Sequence, residues 1–326
     1  MVELKSVLVT GGAGYIGSTT ARLLSESGFI PVVLDNLSQG KAENVKWGPL
    51  IVGDLCDRKF IQQVFEDFEV TAVIHFAAKA SVSESIQDPI GYYSHNVLST
   101  LNLLEAMLKA RVEAIIFSSS CSTYGEYDSE EISEDFEQRP INPYGLSKLI
   151  GERVIQDVAR RSNISYAILR YFNVAGADLD GLIHEEHEPE HHLIPRILSA
   201  ITTGHPLTIF GSDFPTPDGT AVRDFVHVVD LAHAHVLALK QLLGGKDHLI
   251  LNLGAGKGYS VKQIVDTFNL MGMPVPVQFG PRREGDPARL VSNISRAKSL
   301  LGWTPVNSDI LNVLESVIFS QGNRNS

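Results

Sequence analysis

The chain of 326 residues reads as an α/β protein, a Rossmann-type doubly wound parallel sheet with a smaller, discontinuous second lobe. Three observations predict this. Short β-branched runs alternate with longer amphipathic segments through the first half, a glycine-rich turn follows the first run directly, and the texture changes after Asn173. The runs lie at residues 6–10, 31–35, 50–53, 72–75, 114–118 and 165–171, and helical patterns such as 18–27 and 58–68 separate them. Runs this short and this apolar are expected of parallel strands covered by helices on both faces. Beyond Asn173 come a His- and Glu-rich stretch at 181–192 and a turn-rich one at 211–220, both read as loops. Strand and helix signals resume at 225–227, 230–242, 249–253 and 260–270. The expected division is 1–175 plus about 224–255 for the sheet domain, about 176–223 plus 256–320 for the second lobe, and 321–326 as a solvated tail.

Composition narrows the functional classes. With 44% apolar and 20% charged residues the chain is of the globular type, and no apolar run approaches the ~18 residues of a membrane span. A net charge of -11 argues against a nucleic-acid partner, which calls for a basic face. Cys56 and Cys121 are the two cysteines, too few for a disulfide framework and suited to a reducing compartment. The start runs from Met1 into the first strand without the pattern of a signal peptide, so cytoplasmic residence is expected.

In an open parallel sheet ligands sit beyond the carboxyl ends of the strands. The first run ends in Thr10-Gly11-Gly12-Ala13-Gly14-Tyr15-Ile16-Gly17, which also reads Gly11-x-x-Gly14-x-x-Gly17. Glycine at these places permits a tight bend, backbone approach to a pyrophosphate and close packing of the next helix, whose N-terminus attracts anions. Eighteen residues past Gly17, Asp35 ends the second run, where a carboxylate accepts from both ribose hydroxyls and repels a 2′-phosphate. NAD rather than NADP is expected. Asp54, Ala77 and Ser120 follow the ends of later runs on the same side.

About 130 residues after the turn stands the pair Tyr144 and Lys148. Asn142 is placed as a helix N-cap and Pro143 at the first helical position, so Lys148 follows Tyr144 by one turn on the same face. An ammonium there favours the phenolate, and a tyrosine base beside a nicotinamide suits removal of a hydroxyl proton while a hydride leaves the same carbon. Ser120 is the candidate for a hydrogen bond at the reacting oxygen. Arg223, Arg282, Arg283 and Asp286 stand in turns, where guanidinium forks suit a diphosphate and a carboxylate suits ribose hydroxyls. The histidines and glutamates of 181–192 lack a His-Glu-x-x-His signature and are broken by Pro189, so no metal is expected.

With these residues in hand, the chain resembles the UDP-glucose 4-epimerases, a group of extended short-chain dehydrogenase/reductases. The resemblance runs from about Val7 to Trp303 and is carried by residues 10–17, 34–37, 53–55, 75–78, 144–148, 169–173, 216–224 and 281–286. It implies tightly held NAD, lined by Tyr15, Ile16, Asp35, Asn36, Asp54, Leu55, Phe76, Ala77, Asn96, Lys148 and Phe172. It makes Tyr144 the base and places Asn173, His192, Leu193, Arg223, Arg283 and Asp286 against the UDP half of a UDP-sugar. It further implies hydride removal from C4 of the sugar, turnover of a 4-keto intermediate and return of the hydride, in a homodimer.

Departures from the family pattern leave the sugar open. Lys79 stands one place before a lysine of some members, Ser83 replaces a frequent glycine, and Leu290 occupies a position where side-chain size is linked to N-acetylated sugars. The serine-rich 118–125 stretch has features of UDP-xylose 4-epimerases. A 4,6-dehydratase would carry acids where Cys121 and Ser122 stand, and a non-enzymatic NAD-sensing protein would be expected to have lost the tyrosine or the lysine. The hexose UDP-galactose/UDP-glucose is the expected substrate, with UDP-N-acetylhexosamines and UDP-xylose/UDP-arabinose as alternatives.

Overall fold

A computed structural model describes residues 5–178, 180–186, 190–246, 248–283 and 285–324, with the side chains of 323 and 324 undescribed. His187, Glu188 and Pro189 of the His- and Glu-rich stretch therefore lie outside the described residues. The chain runs β1 (Ser6–Thr10), α1 (Tyr15–Glu26), β2 (Ile30–Asp35), β3 (Leu50–Val52), α2 (Arg58–Asp67), β4 (Val70–His75), α3 (Val82–Gln87), α4 (Pro89–Ala110), β5 (Ala114–Ser120), α5 (Pro143–Ala159) and β6 (Ser165–Tyr171). It continues with β7 (Asn173–Ala175), α6 (Leu193–Thr203), β8 (Leu207–Phe210), β9 (Val222–His227), α7 (Val228–Leu243) and β10 (His248–Leu253). The last elements are β11 (Gly258–Ser260), α8 (Val261–Leu270), β12 (Val277–Gly280), β13 (Arg289–Leu290), α9 (Ser295–Leu301) and α10 (Ile310–Arg324).

Seven strands form one parallel sheet in the order β10-β6-β5-β4-β1-β2-β3. The strands inside the sheet bury both faces, and their residues divide between two cores with the period of two that a pleated strand imposes. Val7, Val9, Ile74, Ile116 and Leu169 join Leu24 of α1 and Leu231 and Leu239 of α7 on one side. Leu8, Val73, Ile115, Phe117 and Ile168 join Ile61 of α2, Leu103 and Met107 of α4 and Ile155 of α5 on the other. This double burial is why the strands read as unbroken apolar runs. The winding reverses at β1, which has β2 on one side and β4 on the other, and so opens a crevice at their carboxyl ends.

A second sheet holds β7, β9, β11 and β13, with β9 central. Residues 225–227, expected near the start of the returning sheet-domain segment, belong to this sheet, while 249–253 return to the seven-stranded one as β10. A third core forms beneath it, where Ile197, Phe225, Phe268 and Leu314 bring together α6, β9, α8 and α10.

Two boundaries differ from the sequence reading in ways that matter for the site. α1 begins at Tyr15 rather than at residue 18, directly on the glycine turn. β5 runs on through Ser119 and Ser120, because these pair with Arg170 and Tyr171 of β6. Serine has little strand preference of its own, and the neighbouring strand supplies the reason.

Candidate active site

The glycine turn is shaped by contacts that side chains would obstruct. Gly11 has φ +70°, and a Cβ there would meet Ala77 N, after β4, at 2.6 Å. At Gly17 a Cβ would lie 2.3 Å from Gly11 O, so α1 packs directly on the turn. Gly14 is the N-cap of α1 and gives no side-chain cap, and the first turn holds no acidic residue. The free N–H groups of that helix end are thus available to an anion. A cavity of about 380 Å³ borders the same turn, with Ala13, Gly14, Tyr15, Lys41 and Asn44 in its wall.

Asp35 is buried at the end of β2. Its Oδ2 accepts from Ala13 N at 3.0 Å and its Oδ1 from Leu37 N at 2.8 Å, so the carboxylate is fixed at the turn with lone pairs remaining on each oxygen. Leu37 takes the left-handed conformation, φ 58°, in this tight exit from β2. Asn36 donates to Asp54 Oδ2 at 3.1 Å, and Cys56 N donates to Asp54 Oδ1 at 2.8 Å. Though burial works against it, these donors hold the Asp54 carboxyl below its usual range. Leu55 is buried beside it in the core that Ala77 also joins. This donor set, a bare helix N-terminus facing two anchored carboxylates across a glycine turn, fits a dinucleotide with a 2′-hydroxyl ribose.

Other residues of that group act at one remove. Asn96 accepts from Lys79 N at 2.8 Å and donates to Lys79 O and Ser147 Oγ, both at 3.0 Å, which ties the loop after β4 to α4 and α5. Phe76 packs on His235 of α7 with ring centres 4.8 Å apart. The Tyr15 hydroxyl donates to Gly176 O at 2.6 Å, tying α1 to the chain just after β7. Ile16 is half-buried at the helix start. Lys79 turns to Glu84 and Asp88 at 3.5 and 3.6 Å.

Asn142 caps α5 as expected, accepting from Gly145 N at 2.8 Å. The helix then lies along the end of β5. Tyr144 stands beside Ser120, whose hydroxyl works to lower the phenol. Lys148, buried, donates to Ser118 O at 2.8 Å and lies 5.2 Å over the Phe117 ring. Burial pushes the phenol up to about 12, against the lowering effect of Ser120. Burial likewise brings the Lys148 ammonium down to about 7, with Glu152 opposing. Desolvation penalises both charges at once, so the phenolate needs more than the lysine beside it. From about 12, working at pH 7 requires roughly 7 kcal/mol of added stabilisation for the phenolate.

Across the crevice the arginines gather. Arg223 on β9 reaches Asp286 at 2.8 Å. Arg283 lies 4.0 Å over Phe210, and Arg196 of α6 lies 5.8 Å from the same ring. Burial lowers Arg283, Asp286 opposes this, and the charges of Arg196 and Arg223 add to the lowering. Three guanidiniums thus face one carboxylate, an excess suited to a diphosphate. Arg196 went unnoticed in the sequence because nothing sets it apart on an amphipathic helix. Arg282 is instead engaged by Asp213 at 2.8 Å and stacks on Phe214. His192 is the N-cap residue of α6, which begins at Leu193, and pairs with Glu185 at 2.8 Å, chiefly for which its imidazole is raised to about 10. Phe172 is buried with Cys121, Tyr124 and Leu290, and Asn173 opens β7 next to it. Burial raises the Cys121 thiol to about 12, so no acid stands beside Ser120 there.

A switch-point crevice with an anion-binding glycine turn, a ribose-type carboxylate and a buried Tyr-x-x-x-Lys pair defines a dinucleotide-dependent enzyme of the short-chain dehydrogenase type. The UDP-glucose 4-epimerase of Rhizobium meliloti (strain 1021) is 45% identical over 317 residues, 97% of this chain and 96% of the relative. The structure of UDP-glucose 4-epimerase from Brucella ovis in complex with NAD is 46% identical, with a TM-score of 0.92 over 96% of this chain and 97% of that one. That of the Bifidobacterium longum enzyme in complex with NAD+ and UDP is 35% identical, with a TM-score of 0.93 over 98% and 99%. The chain belongs to the NAD dependent epimerase/dehydratase family, which it matches over residues 7–254, and within it to the UDP-glucose 4-epimerases.

Proposed function

We propose that the chain inverts C4 of a UDP-hexose, interconverting UDP-galactose and UDP-glucose with NAD held throughout. The observation that carries this reading is the Tyr144–Lys148 pair at the end of β5, with half-buried Tyr144 beside Ser120 and buried Lys148 donating to Ser118 O. NAD, when bound, supplies a hydride acceptor that later returns the hydride. Tyr144 takes the proton of the C4 hydroxyl and gives it back, and Ser120 orients the reacting oxygen. Lys148 supplies positive charge beside the phenolate, and the cationic ring of the oxidised cofactor contributes the remainder of the roughly 7 kcal/mol. Arg223, Arg283 and Asp286 anchor the UDP half, with Asn173, His192 and Leu193 along its path. A firm diphosphate anchor with a loosely held sugar lets the 4-keto ring turn over and take the hydride on its other face.

The lobes divide this labour in our reading, with 1–175 and about 224–255 holding NAD and about 176–223 and 256–320 holding the UDP-sugar. Gly11, Gly14 and Gly17 form the pyrophosphate cradle, and Asp35, Asn36, Asp54, Leu55, Phe76, Ala77, Asn96 and Phe172 line the cofactor directly or through the loops they brace. We place the enzyme in the cytoplasm; no helix among the described residues is long and apolar enough to cross a membrane. We also propose a homodimer. Ile90, Leu98, Leu101 and Leu108 form one exposed stripe on α4, with Leu146 of α5 exposed nearby, which suits a shared helical interface.

The reading is tested by incubating freshly purified protein with UDP-galactose, without added cofactor, and following UDP-glucose by proton NMR. Conversion supports it. Silence with UDP-galactose, even with NAD added, followed by turnover of UDP-GlcNAc or UDP-xylose, moves the substrate assignment. Asp35→Ala is expected to release NAD more readily and to narrow the preference over NADP, read from nucleotide freed on denaturation; unaltered content and preference would count against the ribose role. Arg283→Ala, which removes a charge-assisted contact worth ~1.5–3 kcal/mol, is expected to raise KM for the UDP-sugar ~10-fold or more with a smaller change in kcat. An unchanged KM would remove Arg283 from the diphosphate site.

A further inference from the structure

The same face of α5 that carries Tyr144 and Lys148 carries Glu152 one turn further on. Three successive residues of β5 receive the three side chains. Ser120 stands beside Tyr144, Ser118 O accepts from Lys148, and Ser119 Oγ donates to Glu152. The Glu152 side chain has no solvent exposure, and Arg170 of β6 meets it as a fork: Nε to Oε1 at 2.9 Å and Nη2 to Oε2 at 2.7 Å. Gln138 adds a donor to Oε2 at 2.8 Å. Arg170 is itself held by Tyr124, whose hydroxyl donates to Asn252 at 2.7 Å on β10. One carboxylate therefore links α5 to β5 and β6 and, through Arg170 and Tyr124, to β10.

A buried ion pair is a poor device for stability alone, since apolar residues of similar volume often do as well or better. Its position suggests another use. Resting on the assignment of Tyr144 and Lys148 as the catalytic pair, we propose that Glu152 is a positioning residue, whose buried carboxylate sets the register of α5 on β5 and supplies the counter-charge for Lys148. The groups that face Lys148 leave this task to Glu152. Tyr144 on α5 and Tyr171 on β6 are phenols raised by burial, and His75 on β4 is lowered to about 3 and so stays neutral. Phe117 and Ser118 on β5 carry no charge, and Arg170 on β6 is a cation held by Glu152, the anion that raises the lysine.

The sign follows. Removing the anion lets Lys148 lose its proton at lower pH, so the alkaline limb of the kcat profile moves toward acid. Glu152→Gln is expected to shift that limb by roughly one pH unit, a ~10-fold loss at fixed pH on the limb, with at most a ~2-fold change well below it. Glu152→Asp, which keeps the charge, is expected to restore most of the wild-type limb. If the single variant fails to fold, Glu152→Gln with Arg170→Gln buries no unpaired charge; because it removes a cation as well as the anion, the limb is expected to move toward acid by less than one pH unit. Limbs that coincide with the wild type, whatever the overall rate, overturn the proposal and leave Glu152 a structural residue. Absence of epimerisation by the wild type would instead overturn the underlying assignment of the site.

Discussion

Tyr144→Phe is expected to lower turnover of UDP-galactose by at least ~100-fold while the protein keeps its NAD, because the change removes one hydroxyl and little else. The ring remains to pack at the start of α5, and the Asn142 cap, which holds that helix end, is untouched. Ser120 still accepts from Ser122 N at 3.1 Å. The loss is expected in kcat rather than KM, since the contacts we propose for the uridine diphosphate lie elsewhere, on Arg223, Arg283 and Asp286. Steady-state kinetics together with the 260 nm spectrum of released nucleotide check both halves. Turnover within a few-fold of wild type would mean that another group takes the proton, and loss of NAD would mean that the hydroxyl serves the cofactor site instead.

Gly17→Ala is expected to abolish NAD retention and lower the melting temperature by several degrees. The added Cβ would stand 2.3 Å from Gly11 O and 2.7 Å from Gly12 Cα, both main-chain atoms that cannot swing aside as a flexible side chain can. Either α1 withdraws from the sheet or the turn opens, and the helix N-terminus no longer meets the pyrophosphate. Overpacking of this kind costs ~1–3 kcal/mol, equivalent to a few degrees in a chain of this size. Gly28→Ala is a suitable control. Unlike Gly17 it has a positive φ, +83°, and nothing lies within 4 Å, so it should cost stability by backbone strain while leaving NAD in place. Full NAD content and an unchanged melting curve for Gly17→Ala would show that the turn is looser than these distances require.

The parts of the site that were legible are those written in local backbone chemistry. The glycine turn, Asp35 eighteen residues beyond it, and the Asn142-Pro143 helix start each depend on neighbours a few residues away, and local physics is the same before and after folding. Arg223, Arg283 and Asp286 were legible only as candidates of a suitable type. Nothing in their surroundings told Arg283 from Arg282, although the fold directs one to Phe210 beside Arg196 and the other to Asp213.

The sequence by itself determined the strand-and-helix alternation, the doubly wound class, the ends of the strands at which ligands are expected, and the candidates for a base and its lysine. Parallel strands buried on both faces must be apolar throughout, and a phosphate-binding turn must lack side chains, so both leave marks in the order of residues. Only the tertiary structure decided the rest. It carried β5 on to Ser120 by pairing it with β6, and placed the Glu152–Arg170 ion pair behind Lys148. It also set the burial that lifts the Tyr144 phenol to about 12 while lowering the Lys148 ammonium to about 7. These depend on which distant segments are brought alongside and on how much water they exclude, and desolvation is a property of the assembled fold rather than of any residue's neighbours in the chain.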